Sequence, residues 1–199
     1  MSSVIEKRVA KVCIEMVRAD IIDKREYFIY KYNLQLIIER AITLLPIIVA
    51  CIVMHRIIEM TVFLIAFALL RKYSGGYHCK SFMGCFVMSN ISCLATIPIA
   101  SLLENNYMVF LVLEILAAFI AIHIGSINNQ YIDWTQDEFV KAKRLNRIIC
   151  LIVLLCSLTI GVFYSLRTYS VYIGIGLIQT SISLMLYKII KEGGIGYGT

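Results

Sequence analysis

Only two of the 199 residues are proline, and only 16% are charged. No Pro- or Ser-rich linker, low-complexity tract or convincing internal repeat divides the chain, so 1–199 reads as a single domain. Met1 to Ala19 carries charges throughout and lacks a continuous apolar core, which excludes a signal peptide. The seven cysteines are odd in number, and most lie in or near apolar segments. They read as reduced thiols rather than a disulfide framework. His78, Cys79 and Cys85 have no paired ligand pattern elsewhere, so neither a metal nor a cofactor is assigned. Acidic residues are scarcer than basic ones, 13 against 19. The resulting +6 charge speaks of orientation and an anionic lipid leaflet rather than of nucleic acid.

What is abundant is apolar surface. The chain is 60% hydrophobic, and its mean hydropathy of +0.81 is well above that of a soluble domain. The fold expected is an all-α, polytopic integral membrane bundle with about six hydrophobic segments, near 34–54, 57–70, 82–103, 107–127, 148–166 and 169–190. The segment 57–70 is short and carries Glu59, so tilted spans and a shallow hairpin both remain open for the first pair. Residues 3–31 read as one amphipathic helix lying at the interface, with Lys7, Arg8, Lys11 and Arg18 on its polar side. Ser89, Asn90, Ser92 and Thr96 interrupt the third segment and are expected to face the bundle, because polar groups in lipid need partners. Glu39 and Arg40 read as snorkelling interface residues. With six crossings and the N-terminus inside, seventeen Lys and Arg fall inside and only Arg56 and Arg167 outside. That asymmetry predicts a cell-membrane protein with both termini cytoplasmic.

Between the second and third segments lies the densest set of reactive side chains, in a loop read over 71–81. It runs Arg71-Lys72-Tyr73-Ser74-Gly75-Gly76-Tyr77-His78-Cys79-Lys80-Ser81 and continues to Cys85. A thiolate nucleophile needs a base nearby and a field that favours its charged form. In one continuous helix, His78 and Cys85 would be about 10 Å apart along the axis, whereas a Cys–His hydrogen bond needs about 3 Å. A dyad therefore requires His78 on a turn that folds back, a freedom Gly75 and Gly76 supply. Ser81 reads as the N-cap of the next helix, which puts Cys85 at the end of its first turn. The plainer reading is a solvated loop histidine and a packing cysteine, and Cys79 is a rival nucleophile. His123 is a more distant candidate base. Ser81, Ser89 or Asn90 could orient the imidazole.

The pattern Arg71…Gly75-Gly76-Tyr77-His78…Cys85 resembles the signature of the AgrB family, membrane cysteine endopeptidases of Gram-positive quorum sensing. Chain length, flanking hydrophobic segments and a basic amphipathic N-terminus are similar too. The resemblance implies that Cys85 is the nucleophile and His78 its base, at the cytoplasmic face. Such enzymes cut an AgrD precursor peptide through a thioester, which an internal Cys or Ser resolves to a cyclic thiolactone or lactone. Arg71, Gly75 and Gly76 would be structural or substrate-orienting, with Gln35 a weaker match. AgrD-type acidic tails suit the basic surface. The small bundle with polar intramembrane residues also suits a homodimer. Two departures stand out: the Asn128–Arg147 connection lacks the prolines expected in many relatives, and Cys79 is an extra thiol. The competing class is a non-enzymatic membrane transporter or accessory subunit, in which His78 and Cys85 pack or gate.

Overall fold

A computed structural model describes residues 4–76, 82–127 and 135–192. It is an all-α bundle. Among the described residues the α-helices are α1 (Val4–Arg18), α2 (Tyr27–Val53), α3 (Ile57–Ser74), α4 (Phe82–Asn105), α5 (Tyr107–Ile124), α6 (Gln136–Val162) and α7 (Arg167–Glu192). Five of these, α2 and α4 to α7, are long and apolar enough to cross a membrane, as expected of a multi-pass membrane protein. In α3, Glu59, Arg71 and Lys72 lower the apolar character of a helix of 18 residues.

Two boundaries outside the candidate site differ from the sequence expectation. The helix read over 3–31 is two helices, because Asp20 takes a left-handed φ of 52° and the chain turns before Tyr27. Asp is among the few residues that adopt this conformation at low cost. The isolated α1 packs on α2, burying Val9 and Cys13, and Lys31 reaches Glu6 at 3.1 Å. The second difference concerns 128–147, read as polar connection. Its second half is already α6, which Thr135 starts with a capping box: Thr135 and Glu138 satisfy each other's backbone N–H groups.

The helix around which the others gather is α7. It packs against α3, α4, α5 and α6, and every residue from Ser170 to Leu177 is buried. A helix buried on all sides needs close neighbours, and glycine permits the closest approach. A Cβ on Gly176 would lie 3.2 Å from the Phe67 backbone nitrogen. Polar side chains tie the other helices to it, as the sequence pattern predicts for Ser92 and Thr96. Gln179 Nε2 donates to Thr96 Oγ1 at 2.9 Å and to the Ser92 carbonyl at 3.1 Å, and Ser92 Oγ returns a bond to Gln179 Oε1 at 3.0 Å. Ser181 Oγ donates to the Ala117 carbonyl of α5 at 2.6 Å.

Candidate functional site

Antiparallel helices bring one set of termini to a single end of the bundle: the end of α3, the start of α4, the end of α5 and the last turns of α7. The α3 helix continues through Ser74, so Arg71 belongs to its last turn rather than to a loop. Gly75 ends it at φ 67° and Gly76 follows at φ 118°, conformations that glycine alone adopts without strain. The same device recurs at α5, where Gly125 takes φ 74° and its N–H bonds the Ala121 carbonyl. The two helix ends are then sewn together. Ile127 N–H donates to the Ser74 carbonyl at 2.9 Å, and Ser126 Oγ donates to the Tyr73 carbonyl at 2.6 Å.

Arg71 turns into this junction. Its Nη1 donates to the Gly75 carbonyl and, at 2.7 Å, to Ser183 Oγ of α7. Burial pulls its guanidinium down to about 10 while the nearby Cys85 sulfur acts in the opposite direction, so the group remains a cation at neutral pH. Gly76 supplies the space it occupies. A Cβ there would land on the guanidinium and lie 2.9 Å from Ser183 Oγ.

Cys85 is the fourth residue of α4 and is half-buried, with its sulfur 4.0 Å from Ser89 Oγ. The other described cysteines contrast with it. Cys13, Cys51, Cys93 and Cys150 are buried, and Cys156 is exposed within the apolar part of α6. Cys85 alone among them combines partial access, a helix start and a neighbouring cation, the setting in which thiols react. His78, Cys79 and Ser81 lie outside the described residues. Gln35 sits in α2, where it donates to Glu39 Oε1 at 2.8 Å, one turn along the same helix. His123 stacks on Phe119 and, with Ile122 and Arg147, lines a shallow groove that does not include Cys85. Asn90 donates to the Phe86 carbonyl of its own helix at 2.8 Å. Ser183 was missed by sequence reasoning; the signal for it was the polar series Gln179, Thr180, Ser181, Ser183 in an otherwise apolar segment.

Together these features define a multi-pass helical membrane protein with a thiol at the start of one helix and a half-buried arginine held beside it. The family comparison makes the class specific. The Accessory gene regulator B (AgrB) family model matches residues 8–185, and the chain belongs to that family, the membrane proteins of agr quorum sensing. No curated protein and no solved structure matches the chain.

Proposed function

We propose that this protein is a membrane-embedded cysteine endopeptidase that cuts a small AgrD-like precursor peptide and promotes its cyclisation. The observation that carries the reading is Cys85, half-buried in the first turn of α4 with Arg71 within electrostatic reach. Helix N–H groups and a fixed cation both favour an anionic sulfur. Cys85 thiolate attacks the scissile carbonyl, and the C–N bond breaks as His78, acting as general acid after serving as base, protonates the leaving amine. An internal Cys or Ser of the precursor then attacks the thioester, closing the ring and returning the Cys85 thiol. Exchange of one thioester for another requires little driving force, and a site at the membrane edge limits competing water. Arg71 orients the site from below. Gly75 and Gly76 let the chain leave α3, and Ser81, which lies outside the described residues, keeps the structural role read from the sequence. Gln35 acts further off, on α2.

The cytoplasmic placement rests on charge. Arg56 and Arg167 are the two basic residues at the turns of the far end, and most of the other described Lys and Arg lie toward the Cys85 end. That basic surface attracts both an anionic leaflet and an acidic peptide tail.

The test uses protein in lipid with its co-encoded peptide and intact mass spectrometry, comparing wild type with Cys85→Ala, Cys79→Ala and His78→Ala. A covalent adduct lost with Cys85→Ala and kept with Cys79→Ala is expected. Loss with Cys79→Ala alone would move the nucleophile. Bound peptide with no adduct and no cleavage in any variant would sink the enzyme reading in favour of a transporter or accessory subunit.

A further inference from the structure

In the half of the bundle away from Cys85, α5, α6 and α7 enclose polar groups that the proposed chemistry does not use. Glu114 of α5 is fully buried, and neither of its carboxyl oxygens has a hydrogen-bond partner among the described residues. The ion pairs seen among those residues are Lys31–Glu6 and Arg56–Glu59, neither of which involves it. Ser157 of α6 is near enough to act on the carboxyl but is not in hydrogen-bond geometry with it, and its single hydrogen is donated to the Ser170 carbonyl oxygen at 3.0 Å. Towards Glu114, Ser157 Oγ therefore offers a lone pair. Ser170 Oγ stands 3.2 Å from Ser157 Oγ and 3.1 Å from the Tyr107 hydroxyl. When Tyr107 donates to Ser170 and Ser170 to Ser157, every hydroxyl hydrogen in the row is used. The acceptor that remains faces Glu114. Two glycines provide the room: a Cβ on Gly174 would lie 2.7 Å from Glu114 Oε1, and one on Gly161 would lie 2.8 Å from Ser170 Oγ and overlap the Tyr107 hydroxyl. The group that completes this arrangement is a carboxylic O–H, since a bare charge at lipid depth has neither donor nor counter-ion among the described residues.

We propose that Glu114 is a proton-binding site: when loaded, its carboxylic O–H closes on Ser157 Oγ, and the proton exchanges with water through the Ser157, Ser170 and Tyr107 hydroxyls. The charged groups around it fit this role. On α7, Arg167 lies over the rings of Tyr107 and Tyr164, at 4.6 and 5.0 Å, and marks the mouth of the row. Glu59 of α3 and Glu104 of α4 act instead on Arg56 and Tyr172, and α6 contributes Ser157. Loading adds one proton to the carboxylate and leaves each hydroxyl with its own complement.

The experiment is infrared spectroscopy of the full protein in lipid vesicles at neutral pH, in H2O and in D2O, which needs no peptide and is independent of the peptidase reading. The expected result is a protonated-carboxyl stretch that shifts in D2O, is lost in Glu114→Gln and moves to higher frequency in Ser157→Ala. Absence of a protonated-carboxyl band from wild type, a carboxyl band that survives Glu114→Gln, or a band that appears only when sodium is removed would overturn the proposal. If Glu114→Gln fails to insert, Ser157→Ala decides the matter: a band at the wild-type frequency would refute the bond to Ser157.

Discussion

Gly76→Ala probes the Arg71 junction most directly, and the structure sets the size of its effect. At φ 118°, a residue with a Cβ carries backbone strain of about 1–3 kcal/mol. The new methyl would also land on the Arg71 guanidinium, which must swing away from Ser183 Oγ, now 2.7 Å from it. Losing a hydrogen bond from a charged donor costs about 1.5–3 kcal/mol. The two effects are separate in origin and sum to roughly 2.5–6 kcal/mol, a large share of the roughly 5–15 kcal/mol that holds a typical domain. Ser183→Ala removes only the second effect and introduces no strain. Thermal unfolding in one lipid composition, paired with cleavage of the co-encoded peptide, should therefore rank wild type above Ser183→Ala and Ser183→Ala above Gly76→Ala in both measures. A Gly76→Ala protein as stable and active as wild type would refute the argument, because Arg71 would then have another place to go. Equal losses in the two variants would show instead that the hydrogen bond, not the glycine conformation, carries the effect.

Other consequences follow from burial and capping. Brief alkylation in intact vesicles should modify Cys85 while sparing Cys13, Cys51, Cys93 and Cys150, whose side chains are buried; peptide mapping that found Cys150 labelled as fast as Cys85 would contradict the packing. Thr135→Ala breaks the capping box of α6 and should cost about 1 kcal/mol of stability by thermal unfolding, with peptide cleavage per folded molecule unchanged. Gly174→Ala forces a methyl against the Phe110 ring and Glu114 Oε1 and should destabilise by about 1–3 kcal/mol through overpacking; an unchanged melting temperature would mean that α5 and α7 separate freely.

The membrane class is legible in the chain because water-soluble folds rarely contain several apolar runs near the length of a bilayer crossing. Helix ends are harder. Thr135-x-x-Glu138 is a capping-box spacing visible in the sequence, yet the acids and bases around it suggest a loop and hide the first turns of α6. Asp20 breaks the N-terminal helix without a proline or glycine to announce it. At the site, the Gly75-Gly76 pair is legible because consecutive glycines after a charged helix end have a local meaning. The partner of Arg71 is not: Ser183 lies 112 residues away in sequence, and only packing selects it from the several hydroxyls of α7. Glu114 is visible as a charge in an apolar run, but its relation to Ser157 and Ser170 depends on how three helices meet.

That dependence explains why the last helix matters to both ends of the molecule. The sequence draws the eye to the stretch around Gly75, but α7 is the element that packs against α3, α4, α5 and α6. Ser183 near its end receives Arg71, Gln179 binds Ser92 and Thr96 of the helix that carries Cys85, and Ser170 and Gly174 shape the pocket of Glu114. From Ser170 to Ser183 is thirteen residues, about 20 Å along a helix axis, so one rigid rod links a surface junction to a buried acid. Its freedom to slide is small. Gly176 sits against the backbone of Phe67 and Gly174 against Phe110, and close-packed interfaces settle into discrete arrangements rather than deforming continuously. A polar group on α7 therefore cannot change its bonding at one end without either breaking a local contact or carrying the rod with it.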